Sequence, residues 1–225
     1  MKLYQSHGPN PRSVLFYLAE KGIDIERQYV DIIVGENREA AFQEINALSE
    51  LPVLELDDGT HLMESSAICQ YLDEIYPENP LIGATPEERA ETRMLMRRID
   101  LKVIAPLTVG YRGNEGHNFF KDRVRCLPEA SDGLKALTQD GYAQINSGLE
   151  GRKWLAGDRF THADILLFVY VEFGSWWNQT VLPEYKNIHA WRTRMVEEKP
   201  NALASADSTF GMPPGDYPTH VKKKS

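Results

Sequence analysis

From Ile165 to Val171 the chain runs seven apolar residues without a break, and the stretch ILLFVYVEFGSWW that ends at Trp177 is apolar nearly all round. A helix of that composition cannot face water, so other elements must surround it. Seven residues is far short of the ~18 that a membrane span requires. Its start carries an explicit signal. Thr161 can act as N-cap, Asp164 at N3 can reach back to its amide, and Phe160 can staple against Ile165. The pattern predicts a buried helix over Asp164–Asn178 as the centre of a helical bundle.

The rest of the chain sorts around that helix. Lys2–Ser6 reads as a strand, followed by the turn-rich His7-Gly8-Pro9-Asn10-Pro11. Arg12–Lys21 carries Val14, Leu15, Leu18 and Ala19 at helical spacing, and Gly22 ends it. Arg27–Ile33 reads as a second strand and Arg38–Ile45 as a short helix. Pro52–Met63 is a hairpin around Asp58-Gly59, and Ser65–Tyr76 a further helix. The order is β-α-β-α-β-β-α. Pro77–Pro86 then holds three prolines and a glycine, which marks a linker. Beyond it the periods are helical: Glu87–Leu107, Phe119–Leu149 as one or two helices, and Tyr185–Glu198, stopped by Lys199-Pro200. The boundaries follow: residues 1–77 form an α/β domain, 78–86 the linker, 87–209 an all-α domain, and 210–225 an extended basic tail.

Composition removes several function classes. The chain of 225 residues holds 25 Lys+Arg against 33 Asp+Glu, a net charge of −8, which argues against general nucleic-acid binding. Residues 1–78 hold 5 Lys+Arg against 15 Asp+Glu, a net of −10, so the two parts differ in character. Cys69 and Cys126 are the only cysteines, too few for a disulfide framework or a CxxC pair, and are expected to be reduced, buried thiols. No HExxH or phosphate-cradling glycine motif occurs, so metal and nucleotide chemistry are not expected. No secretory leader is visible, and a cytoplasmic location is the expectation.

Several motifs carry a resemblance. Leu51-Pro52-Val53-Leu54 resembles the loop in which the cytosolic glutathione transferases place a cis-proline before their third strand. Glu64-Ser65-Ser66-Ala67-Ile68 is similar to their glutathione-binding turn, Ala19-Glu20-Lys21-Gly22 to the end of their first helix, and Gly157–Ile165 to their capping box. The likeness implies a thioredoxin-like N-terminal domain followed by a helical bundle domain. It implies a homodimeric detoxification enzyme that uses glutathione as co-substrate, with no other cofactor, against a small apolar electrophile. Pro9-Asn10-Pro11-Arg12 and Pro52–Thr60 look most like an atypical fungal and bacterial subgroup. That subgroup lacks the usual catalytic Tyr, Ser or Cys, and here the usual hydroxyl position falls near Gly8.

Such a reaction needs a thiolate at neutral pH. Lowering a thiol from ~8.5 to ~6.5 requires about 2.7 kcal/mol of preferential stabilisation, and a helix N-terminus supplies ~0.3–1 kcal/mol, ~2 at most. One charge-assisted hydrogen bond would close the gap. The donors near the first helix are Ser6, His7, Asn10, Arg12 and Ser13, with Ser13 expected on the helix surface. His117 is the candidate from the second domain, for water positioning or thiol activation. The expected picture has aligned backbone amides holding the sulfur negative.

For glutathione itself, the resemblance implies Ser65 for the γ-glutamyl carboxylate and Glu64 for its ammonium. Leu51, beside Pro52, would pair through its backbone with the cysteinyl unit. Arg12 and Arg38 are the nearby cations. Tyr111, Phe119, Phe120 and Trp176 are expected to wall the acceptor pocket. Arg89, Arg93 and Arg97 form a basic stripe, either solvated or facing the acidic domain of a second subunit. Gly8 at the hydroxyl position leaves a second reading, a non-catalytic binding or scaffold protein of the same fold.

Overall fold

The computed structural model describes residues 1–207; the tail expected at 210–225 lies outside them. The described chain separates into two compact units, Met1–Pro80 together with the chain from Lys199, and Leu81–Glu198.

In the first unit, β1 (Lys2–Gln5), β2 (Glu26–Tyr29), β3 (Val53–Glu55) and β4 (His61–Leu62) form one sheet in the order β2-β1-β3-β4. β2 runs parallel to β1, while β3 lies antiparallel to both β1 and β4. The parallel step needs a crossover, and α1 (Pro9–Lys21) supplies it. α1 closes on Gly22 at φ 65, the left-handed position a glycine fills at least cost. β2 stops at Tyr29 rather than Ile33, because Asp31 turns the chain by accepting from the amides of Ile33 and Val34. The helix expected over Arg38–Ile45 is a 3-10 turn at Glu36–Arg38 followed by α2 (Ala40–Gln43).

α3 (Ser65–Ile75) lies beside α1, and the two are tied at both ends. At their C-terminal halves the Tyr17 hydroxyl donates to Asp73 at 2.5 Å, and the Lys21 ammonium pairs with the same carboxylate at 2.8 Å. Burial and Asp73 together push the Tyr17 phenol far above its usual range, so it stays a donor. Cys69, on the same stretch of α3, is buried and its thiol is pushed up, whereas Cys126 is only half-buried. α10 (Pro200–Asp207) also belongs here, although the sequence placed it with the helical domain. It packs Ala202 and Ala206 inward, and Lys199 pairs with Glu20 of α1 at 2.6 Å.

The second unit is helical. α4 (Pro86–Ile99) opens on a capping box, in which the Thr85 hydroxyl accepts from the Glu88 amide and the Glu88 carboxylate from the Thr85 amide. The long helix expected over Glu87–Leu107 is interrupted by a π-helical turn at Asp100–Ile104 and continues as α5 (Ala105–Gly113). The interruption sits where α7 (Ser131–Gly148) crosses. A Cβ on Gly141 would lie 2.1 Å from the Lys102 carbonyl oxygen, so only glycine admits that approach. α6 is a single turn, His117–Phe120, and α9 spans Lys186–Glu198. Among the described residues no helix is long and apolar enough to cross a membrane.

The central helix is α8 (His162–Trp176), buried along most of its length as its composition requires. Asp164, 0% exposed, accepts from the amides of Leu155 and Thr161 at 3.0 Å, from the Thr161 hydroxyl at 3.2 Å, and from the Trp191 indole at 2.9 Å. Phe160 packs its ring on Trp154 at 5.0 Å. Burial pushes the Asp164 carboxyl up to about 6 in spite of those donors.

Two outcomes follow for this helix. Thr161→Ala is expected to lower stability by about 1 kcal/mol, and an unchanged denaturant midpoint would contradict the assigned cap. Asp164 binds its proton more tightly folded than unfolded. Its contribution is therefore full below the unfolded value of 3.8 and is lost as pH rises through about 6. On acidification from about pH 7.5 to about pH 5, the native protein should gain roughly 1 kcal/mol relative to Asp164→Asn. Parallel melting curves at the two pH values check the sign.

Candidate functional site

In the first unit the polar groups gather where β1 gives way to α1 and where α3 begins. Gly8 makes the turn at φ 128, a conformation that L side chains rarely adopt, and α1 starts at Pro9. A helix start offers unsatisfied amides to an anion. Here Pro9 and Pro11 have none, and the Arg12 amide donates to the Gly8 carbonyl at 3.2 Å. Of the first three residues of α1, Asn10 alone carries a backbone N–H. The expected row of aligned amides at α1 is thus reduced to one.

Asn10 is exposed, and its Oδ1 accepts from the Ser65 hydroxyl at 3.5 Å. That contact joins the starts of α1 and α3 and turns the Asn10 amide nitrogen away from Ser65. Ser65 is the first residue of α3 and is 7% exposed. Glu64 precedes it, exposed, with φ 66 and ψ 112, a strained backbone for a residue with a side chain. Strain of this kind gathers at ligand-holding turns. The Leu51–Pro52 peptide is cis, as the resemblance implied. The loop before it is clamped by two amides that sequence reasoning did not single out. Asn37 donates to the Ser49 carbonyl at 2.6 Å and Asn46 to the Glu50 carbonyl at 2.8 Å.

The remaining candidates distribute as follows. Ser6 is buried beside the Tyr29 phenol, and the His7 ring meets Tyr29 edge-on at 5.3 Å. Burial, and Asp31 nearby, push the Tyr29 phenol up, while the Ser6 hydroxyl opposes the shift. Arg12 is 4% exposed, a cation held under the start of α1, whereas Arg38 is exposed on the 3-10 turn. Ser13 is fully buried, which corrects its expected place on the helix surface. Tyr29 could have been found from the sequence only through the parallel register that sets it opposite Gln5.

The second unit holds an aromatic cluster centred on Tyr111. Its ring meets Trp177 at 4.8 Å, Phe173 at 5.0 Å and Phe120 at 5.7 Å, and Phe119 meets Phe120 at 4.9 Å. Burial, reinforced by Glu115, raises the Tyr111 hydroxyl to about 12, and Arg112 pulls the other way. Gly116 lets the following loop lie on the Tyr111 ring, since a Cβ there would come within 2.7 Å of it. His117 starts α6 and is half-buried. Trp176 is half-buried at the end of α8, and Trp177 beside it is 7% exposed. Phe173 joins the cluster without having been singled out in the sequence; its i, i+4 spacing to Trp177 was the available signal. Among the described residues no group of His, Cys, Asp or Glu could hold a metal ion.

Comparison with known proteins gives the family of each part of the chain. The family models "Glutathione S-transferase, N-terminal domain" and "Glutathione S-transferase, C-terminal domain" match residues 3–80 and 131–199. Glutathione S-transferase 2 of Saccharomyces cerevisiae is 30% identical over 194 residues, covering 84% of this chain and 82% of that protein. A maleylacetoacetate isomerase of Pseudomonas aeruginosa is 36% identical over 174 residues, covering 74% of this chain and 78% of that protein. Among solved structures, a glutathione S-transferase domain-containing protein from Marinobacter aquaeolei VT8 superposes with a TM-score of 0.80 at 30% identity, covering 90% of this chain and all of that one.

The strain at Glu64 has a measurable consequence. Glu64→Gly relieves the positive φ and is expected to raise stability by about 1 kcal/mol, even as it removes a charge from the site. A lowered melting midpoint would show that the Glu64 side chain serves the fold instead.

Proposed function

The chain belongs to the glutathione S-transferase family, and from that premise we propose that it binds glutathione at the paired starts of α1 and α3 and holds its sulfur as the thiolate. The observation that carries this reading is the contact of Ser65 with Asn10. It brings two helix N-termini to one place, where their dipoles favour an anion. Ser65 and the first amides of α3 then receive the γ-glutamyl carboxylate. Glu64 takes the ammonium, which gives a reason for its strained backbone. Leu51, ahead of Pro52, pairs with the cysteinyl unit in the manner of an added strand edge. Arg12 and Arg38 supply positive charge for the glycyl end in a region of net negative charge.

The sulfur lies toward α1. With two prolines in the first turn, Asn10 is the residue that can stabilise it twice, through its backbone N–H and its side-chain amide. Two hydrogen bonds to a charged sulfur, at about 1.5–3 kcal/mol each, cover the ~2.7 kcal/mol the shift requires. Ser6 and His7 hold the turn from behind and add polarity. On this reading the chain is one of the transferases that lack a catalytic Tyr, Ser or Cys in this turn, and Gly8, near which the resemblance puts the usual hydroxyl, supports it. The thiolate then attacks a small apolar electrophile, and the aromatic cluster around Tyr111 is of a kind suited to bind one. The new C–S bond forms as the leaving group departs with its electron pair, or as the attacked multiple bond takes up the proton released by the thiol. A homodimer acting in detoxification in the cytoplasm completes the reading. The isomerase name of one relative fits a thiolate that serves more than one reaction type.

Titration with glutathione, followed by calorimetry and by the ultraviolet band of the bound thiolate, tests the proposal directly. Binding with a thiolate midpoint well below that of free glutathione is expected, and no binding would leave the scaffold reading. Ser65→Ala should weaken glutathione binding ten- to a hundredfold, roughly 1.5–3 kcal/mol. Asn10→Ala should instead raise the thiolate midpoint by about one unit with a smaller effect on affinity, and an unmoved midpoint would remove Asn10 from the activating role.

A further inference from the structure

The aromatic cluster of the second unit carries charge that an apolar acceptor alone would not need. The Arg123 guanidinium stacks 3.8 Å from the centre of the Phe119 ring, and the Arg112 guanidinium lies 5.3 Å from that of Phe120. Phe119, Phe120, Arg112 and Arg123 are all half-buried, so each pair is an aromatic face with a planar cation laid against it. Arg112 is also close enough to Tyr111 to favour ionisation of its phenol. Glu115, three residues on from Arg112, is engaged by Lys135, and Arg123 makes a further interaction besides its stack on Phe119. Lys121 and Arg125 add to the positive side of residues 111–126, with Asp122 as the other acid there. A chain of net charge −8 thus concentrates cations around the rings that would receive its acceptor.

A guanidinium stacked on a ring keeps its N–H edge directed past the rim, in the plane that matches a carboxylate. The flat faces beside it suit a planar ring. From this geometry we propose that the acceptor of this enzyme is a planar aryl electrophile bearing a carboxylate, the ring held by the Tyr111 cluster and the carboxylate by Arg112 and Arg123. The inference rests on the transferase reading for the reaction, but the anion preference stands on the second unit alone.

The test uses a matched pair, a chlorodinitrobenzoate and its methyl ester. In both, the glutathione thiolate forms the C–S bond as chloride leaves with the C–Cl electron pair. Corrected for the uncatalysed rates, the carboxylate is expected to have a kcat/KM roughly tenfold above that of the ester. Arg112→Gln combined with Arg123→Gln should bring that ratio toward one, with an unchanged melting midpoint showing that the fold is intact. Calorimetry with the unreactive dinitrobenzoate and its ester, without glutathione, gives a second measure that needs no turnover. Tighter binding of the carboxylate, lost in the double variant, supports the proposal. Equal binding, or preference for the ester, overturns it whatever glutathione does. A retained carboxylate preference in a protein that shows no thiolate band would instead keep the anion site and sink the transferase reading.

Discussion

The buried carboxylate of Asp73 sets the geometry on which the first unit depends. Held by the Tyr17 hydroxyl and the Lys21 ammonium, it locks the lower halves of α1 and α3 in parallel. Two parallel helices begin at the same level, and that is why Asn10 and Ser65 can touch. Removing one partner of such a buried pair would leave an uncompensated charge, which costs more than the pair itself contributes. The network therefore acts less as a source of stability than as a constraint on alignment. Neither helix alone would bring two N-terminal dipoles side by side.

Pro9 and Pro11 shape the start of α1, where the thiolate is proposed to lie. Each fits the first turn of a helix, where an amide would have no intrahelical partner. Each also deletes a donor that a bound sulfur would use. On the proposed reading the task falls to Asn10, through its backbone N–H and its side-chain amide, and its exposure leaves it within reach of a ligand. Gly8 belongs to the same arrangement. Its φ of 128 makes the turn possible, a conformation that L side chains rarely adopt.

Much of this was legible in the residues because it is local. The capping box at Thr161 and Asp164, the all-round apolar helix behind it, the Asp58-Gly59 hairpin and the Glu64-Ser65 start of α3 each need only their own neighbours to be recognised. What escaped was decided at a distance. The π-helical turn at Asp100–Ile104 sits where Gly141, some forty positions on, comes against it. The choice of Trp177 as a ring partner of Tyr111 depends on how α8 ends. Ser13 is buried because of what packs on α1, and helical periodicity cannot say which of its faces will be covered twice. Site residues were readable as chemical types, while their pairing had to come from the fold.

One of those distant decisions bears on how such chains can be cut and joined. α10 comes last among the described elements, yet it lies on α1, with Ala202 and Ala206 packed inward and Lys199 reaching Glu20. The first unit is therefore discontinuous in the gene, made of both ends of the described polypeptide. A chimera that exchanges only Met1–Pro80 between two homologues would set a foreign α1 against a native α10. The smallest interchangeable module carries Lys199–Asp207 with it, and recombination between relatives is tolerated best where both pieces travel together.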